Sequence, residues 1–341
     1  MYSPDGGHEV LISQKPELAF DEHSNFEIQK KRIKEKLTEL LGEMPERVAL
    51  NPVIEYQKEE ATYTEYRIRF DVEEHVQAIC LLCIPKSGKE KYPLVICLQG
   101  HGKGMQVSMG RTYGDEPADD GDRDVAIQAL ERGYAALCLE QRGMGERRTI
   151  KVQNKDDLIN DDGYPRCAVT AMTAIMYGRT LIGERCWDIS RAIDLALTFP
   201  EIDGEQIICT GNSGGGTATY YAACMDERIR VAMPSCAVCS FKESIQAMRH
   251  CTCNYIPNIA HYMDMGDMAA AIAPRKLIVI AGIKDHGFLY PGVQEAYATI
   301  EKIYQAAGVP ENCTLVTGPE GHRYYKQGAW EAYDQMERRT S

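Results

Sequence analysis

The sequence predicts an α/β protein: a mostly parallel central sheet with helices on both faces and small cap insertions. Three observations predict it. Short apolar runs at 92–98, 134–139, 206–208 and 276–282 lack the polar alternation of half-exposed strands, as strands buried on both faces do. Between them lie stretches with helical spacing, such as Trp187, Ile189, Ala192, Ile193, Leu195 and Ala196 across 186–199. The links are short, and neither an internal repeat nor a low-complexity linker interrupts the alternation.

In chain order, Ser24 followed by Glu27 has capping-box spacing and opens a helix through Phe26, Ile33, Leu37, Leu40 and Leu41, with Gly42 placed as its C-cap. Segment 1–50 is read as a helical part packing on the core, and 51–341 as the catalytic domain. The β-rich stretches 52–58, 62–72 and 75–84 follow as antiparallel strands, then the 92–98 strand, a helix at 122–132 and a strand at 134–139. After the 186–199 helix come strands at 206–208, 228–237, 276–282 and 314–317, with closing helices at 291–307 and 325–337. The irregular stretches 145–185 and 238–272 are the expected insertions.

The chemistry concentrates where these strands end. Strand 206–208 runs into Gly211-Asn212-Ser213-Gly214-Gly215, a Gly-x-Ser-x-Gly turn that can then open a helix. A nucleophilic serine at the tip of so tight a turn tolerates only small neighbours, and the helix N-terminus points N–H groups at the developing oxyanion. Upstream, strand 92–98 ends in Gln99-Gly100-His101-Gly102, whose backbone can supply a second oxyanion donor. Downstream, Asp285 follows strand 276–282 and His322 follows 314–317. Ser213, Asp285 and His322 thus appear in nucleophile–acid–base order, each just past a strand's carboxyl end, with oxyanion donors expected from Gly214 and from His101 or Gly102. Glu320 competes as the acid but shares the histidine's own loop.

Composition narrows the class. With 341 residues, 44% hydrophobic and 26% charged, the chain is neither disordered nor membrane-like. A net charge of −12 argues against nucleic acid or an anionic membrane as partner; a small-molecule ester is expected, and homo-oligomerisation stays open. Thirteen cysteines scattered through strands and helices suit a reducing compartment. The first eight residues lack a basic n-region and an apolar h-region, so the expected location is the cytoplasm.

The run 178–188 (Gly178-Arg179-Thr180-Leu181 onward), the segment Cys253-Asn254-Tyr255-Ile256-Pro257 and Ala273-Pro274-Arg275 resemble the acetylxylan-esterase-like branch of the α/β-hydrolases. That branch lies close to the dienelactone hydrolase and cephalosporin C deacetylase groups, and the resemblance covers residues 26–335. It implies the α/β-hydrolase fold and hydrolysis of short acyl esters, often acetyl groups on sugars, without a metal or organic cofactor. Many such esterases are exported. A chain without a leader fits small imported esters better than polymeric xylan.

Candidate wall residues for the substrate are Arg142, Trp187, Tyr255, Tyr262, His286 and Phe288. Arg142 reads equally as a buried partner of Glu140 or Asp188. Cys236-x-x-Cys239 with Cys251-x-Cys253 can be written as a zinc site, but the second pair is tightly spaced and packed thiols are expected. The acidic stretch Asp115, Glu116, Asp119, Asp120, Asp122 and Asp124 lacks calcium-loop spacing and reads as a solvated helix start. Gly100-x-Gly102-x-Gly104 has the wrong spacing for dinucleotide binding. Two other functions stay open: a peptidase or acyl transferase on the same triad, and a non-catalytic binding protein.

Overall fold

The computed structural model describes residues 3–102, 104–111, 121–148 and 167–340. Nine strands form one sheet in the order β1-β2-β3-β5-β4-β6-β7-β8-β9. These are β1 (Val53–Glu59), β2 (Tyr63–Glu73), β3 (Val76–Pro85), β4 (Tyr92–Leu98), β5 (Ala135–Leu139), β6 (Ile202–Asn212), β7 (Ile229–Ser235), β8 (Lys276–Gly282) and β9 (Cys313–Gly318). β1, β2 and β3 pair antiparallel, as does β3 with β5; from β5 to β9 every pairing is parallel. The predicted α/β-hydrolase architecture is the observed one. The order reverses at β4, which has β5 on one side and β6 on the other, and in open α/β sheets a crevice forms beyond the carboxyl ends at such a point.

The period-two side-chain alternation of a strand explains why both faces carry helices. Leu94, Ile96 and Leu98 of β4 join one buried layer, with residues of α2 (Phe26–Leu41), α5 (Leu181–Ala196), α6 (Gly214–Met225) and α9 (Tyr290–Ala306). Val95 and Cys97 face the other, against α3 (Val125–Glu131) and α10 (Lys326–Thr340). In α2 the buried positions Ile33, Leu37 and Leu41 recur at a helical turn and dock on this core. Each such fully buried side chain contributes about 1.5–3 kcal/mol.

Most boundaries fall within a few residues of those read from the sequence, with three differences. Asn25, not Ser24, caps α2: its side chain accepts from Ile28 N, while the Ser24 hydroxyl donates to Asp21 at 2.7 Å. The helix expected at 186–199 begins five residues earlier, at Leu181, capped by the Thr180 hydroxyl. The insertions hold short helices: α4 (Ala168–Met176) in the first, and α7 (Ile259–Tyr262) and α8 (Met265–Met268) in the second. A further helix, α1 (Asp5–Ile12), buries none of its residues, so its pattern carries no core signal. Most of the 115–124 acidic stretch and residues 149–166 of the first insertion lie outside the described residues. Of that stretch, Asp122 pairs with Arg323 and Lys326, and Asp124 accepts from Gln128 in the first turn of α3.

Candidate active site

The β6–α6 turn places Ser213 at φ 58°, ψ −122°. A non-glycine residue there costs on the order of 1–3 kcal/mol, which surrounding contacts must offset. They do so on both sides. Ser213 N donates to Ser235 O at 2.8 Å, and the Ser213 carbonyl accepts from Thr217 N at 2.8 Å. The turn also nests on β4: a Cβ on Gly215 would lie 2.0 Å from the Leu98 carbonyl oxygen, so only glycine fits. Ser213 is half-buried while its neighbours Asn212 and Gly214 are buried, leaving the serine as the accessible point of the turn.

Asp285 and His322 meet between the loops that follow β8 and β9. His322 Nδ1 lies 2.8 Å from Asp285 Oδ2, and the other carboxylate oxygen accepts from Gly287 N at 2.8 Å and Phe288 N at 3.2 Å. Burial would raise the Asp285 carboxyl, but the His322 hydrogen bond and charge and the Gly287 N–H outweigh it and hold it below its ordinary value. Phe288 stacks on the His322 ring at 6.1 Å and meets His250 edge-on at 5.1 Å. The His250 Nε2 lies 2.8 Å from Gly287 O, and burial depresses its proton affinity. The histidine loop is anchored to the serine strand by Tyr324, whose hydroxyl meets that of Thr210 in β6 at 3.0 Å. Glu320, the competing acid, pairs instead with Arg323 at 2.8 Å. The Ser213 hydroxyl makes no hydrogen bond among the described residues. Contacts of this kind often close only in the substrate complex.

The loop after β4, where oxyanion donors are expected, is built differently. A Cβ on Gly100 would lie 3.2 Å from the Ser213 Cβ, so the loop after β4 runs against the serine. The His101 ring covers Gly214: a Cβ there would be 2.6 Å from His101 Nδ1. Behind the loop stands Glu140, fully buried, accepting from Gln99 Nε2 at 2.8 Å and from Met105 N at 3.3 Å. Gln141 donates to the Gln99 carbonyl. Sequence reasoning considered Glu140 only as a partner of Arg142. Its position right after an apolar strand was the available signal.

Three candidate wall residues are occupied elsewhere. Arg142 donates to Asp188 at 2.7 and 3.1 Å and to Glu73, and lies 3.4 Å from Glu184; this buried network is the structural alternative, with Asp188 rather than Glu140 as partner. The Trp187 indole donates to Val72 O at 2.7 Å and lies under Arg47. Tyr255 donates to Ile245 O at 3.1 Å and, with Tyr262's neighbours His261 and Met263, lines a cavity of about 800 Å³ beside α1 whose walls include no triad residue. Phe288 does reach the histidine, and His286 is exposed one residue past Asp285. Gly102 adopts φ 147° in the loop after β4.

The cysteines regroup as well. The set Cys236, Cys239, Cys251 and Cys253 does not assemble. Cys236 leaves β7 at φ 49° and its thiol joins Asp285 and His322, where burial and then the Asp285 charge push it up to about 12. Cys239 donates toward Leu289 O. Cys251 and Cys253 instead meet Cys167 and His101. All thirteen thiols are free.

A mostly parallel sheet with a serine turn between β6 and α6, and an acid and a histidine on the loops after β8 and β9, defines an α/β-hydrolase. The chain belongs to the Abhydrolase family, which it matches over residues 6–337. It is 22% identical over 294 residues to the "Putative hydrolase YtaP" of Bacillus subtilis (strain 168), covering 85% of this chain and 92% of that one. Among solved structures it is similar to a "putative acetyl xylan esterase" of Bacteroides fragilis NCTC 9343, with TM-score 0.75 and 17% identity over 96% of this chain and 83% of the other. It is also similar to a glucuronoyl esterase from Solibacter usitatus, with TM-score 0.66 and 13% identity over 91% of each chain. At such identities the structural likeness is one of fold. No helix among the described residues is long and apolar enough to cross a membrane.

Proposed function

We propose that this protein is a serine carboxylester hydrolase that removes short acyl groups, acetyl in the first instance, from sugars or other small esters. The observation that carries the reading is the 2.8 Å Asp285–His322 pair, together with a serine held at φ 58° in the turn between β6 and α6. The names of the fold neighbours, acetyl xylan and glucuronoyl esterases, support ester bonds on carbohydrates as the substrate class.

In this mechanism Asp285 fixes the imidazole with its proton on Nδ1, leaving Nε2 to take the Ser213 proton as the hydroxyl attacks the ester carbonyl. The backbone N–H groups of Gly214 and of His101 or Gly102 receive the oxyanion; losing one such donor typically costs about 2.7–4 kcal/mol. His322 then protonates the departing alkoxide, and water repeats the sequence to free the acid. Phe288 keeps the imidazole plane fixed and lines the approach. A reducing, cytoplasmic setting belongs to the same proposal, supported by thirteen free thiols.

The test is release of p-nitrophenol from acetyl, butyryl and octanoyl esters by wild type and Ser213→Ala, followed by acetylated sugars. Turnover fastest on acetyl and abolished in the variant is the expected result. No turnover together with a Ser213 inert to fluorophosphonate would sink the proposal.

A further inference from the structure

Four ligand-type atoms from three distant parts of the chain converge beside the oxyanion loop. His101 lies on that loop, Cys167 directly precedes α4 in the first insertion, and Cys251 and Cys253 lie in the second. Their ligand atoms all fall within 4.8 Å of one another. His101 Nε2 is 3.1 Å from Cys253 Sγ and 3.8 Å from Cys167 Sγ. A tetrahedral zinc ion, with Zn–S about 2.3 Å and Zn–N about 2.0 Å, needs its ligand atoms roughly 3.5–3.8 Å apart, so the cluster has the right span. Three thiols and one imidazole are a donor set that favours zinc over harder cations.

A second observation points the same way. Arg185 is among the largest fully buried side chains, at 1% exposure. Its Nε donates to the Arg142 carbonyl at 3.0 Å, its Nη2 has no hydrogen-bond partner, and it forms no ion pair with a carboxylate among the described residues. What its charge does face is Cys253, Cys167 and Cys251. A buried guanidinium requires a counter-charge. Zinc with three thiolates and a neutral imidazole carries a net charge of −1, which a single arginine balances.

We propose that His101 Nε2 and the Sγ atoms of Cys167, Cys251 and Cys253 form a tetrahedral zinc site that clamps both insertions onto the oxyanion loop. Binding replaces the thiol protons, which pass to solvent, and involves no change of oxidation state. Ligation through Nε2 fixes the His101 hydrogen on Nδ1, the nitrogen that abuts Gly214. The metal is therefore a positioning element and takes no part in bond making. The site stands independently of the esterase reading; its positioning role rests on that reading.

Metal analysis of the full chain, purified without chelator, is expected to give about one zinc per chain, as a closed four-ligand site would. Cys251→Ser, at a half-buried ligand, should lose the metal, whereas Cys313→Ser and Ser213→Ala should keep it. Because Cys251→Ser could fold poorly, Co2+ added to metal-depleted wild type gives a second measure: an intense thiolate-to-cobalt charge-transfer band is expected. A chain that takes up neither zinc nor Co2+, a mass two hydrogens short from a disulfide within the cluster, or full zinc in Cys251→Ser would each overturn the site. An unchanged kcat after zinc removal would overturn the positioning role alone. A zinc-loaded chain inactive on every ester would count against the esterase and leave the site standing.

Discussion

The two flanks of Ser213 are held by different means. On the acid–base flank, Asp285 and His322 sit on short loops directly after adjacent parallel strands, and backbone N–H groups at Gly287 and Phe288 fix the carboxylate. On the other flank, proposed to receive the oxyanion, the loop after β4 is held by side chains from elsewhere: Glu140, Gln141 and the cysteine cluster. The first flank is dictated by strand order. The second depends on tertiary partners, and is where relatives with other insertions would be free to differ.

Variants that break either flank should rank accordingly. Ser213→Ala removes what both flanks serve, and kcat/KM for the acetyl ester should fall about 10⁴-fold or more with the melting temperature little changed. Asp285→Asn keeps the shape of the acid but favours the wrong imidazole tautomer, and kcat should drop by about 10³–10⁴-fold. Glu140→Gln keeps an acceptor oxygen for only one of the Gln99 and Met105 contacts on the loop after β4; a kcat loss of about 10–100-fold at similar KM is expected. A fall in melting temperature without a change in kcat would make Glu140 merely structural and level the two flanks.

Arg142→Ala sharpens the comparison from outside it. The variant leaves the buried Asp188 carboxylate with Arg147, at 2.6 Å, as its one remaining cation among the described residues, and denaturant unfolding should show a loss of about 3–5 kcal/mol. A raised KM at unchanged stability would instead return Arg142 to the substrate. Acid titration gives the smallest effect. Burial would raise Asp188 and Asp285, but Arg147 and Arg142 beside the first and His322 beside the second keep both below their ordinary value of 3.8. Their contribution to stability is therefore complete above that value and lost as pH falls through the lowered ones. Unfolding free energy of the wild type should decline below about pH 4, with a weaker decline in Arg142→Ala, whose Asp188 is less depressed.

How much of this was legible in the sequence follows the same division. The strand ends and the order Ser213, Asp285, His322 were readable because each lies at the junction of an apolar run with a turn, which is local information. The cap of α2 was misplaced by one residue because Ser24 and Asn25 both suit the role, and the choice is settled by the Ser24 hydrogen bond to Asp21. Glu140 was passed over because its partners Gln99 and Met105 come from a separate strand-end loop. Proximity in sequence also suggests Cys236, Cys239, Cys251 and Cys253 as a zinc set, which the tight second pair argues against in favour of packed thiols. That set does not assemble, because the backbone turn at Cys236 sends its thiol to Asp285 and His322. Nothing local could bring Cys167 or His101 to Cys253.

The reversal of strand order at β4 also has a bearing on redesign. Because β5 and β6 leave on opposite sides of that strand, the hollow above its end exists before any insertion is added. The second insertion is more than a wall on that hollow, because Met263, Met265, Met268 and Ile272 belong to the main core. Redesign of the crevice must therefore keep those side chains and confine changes to the exposed positions around them.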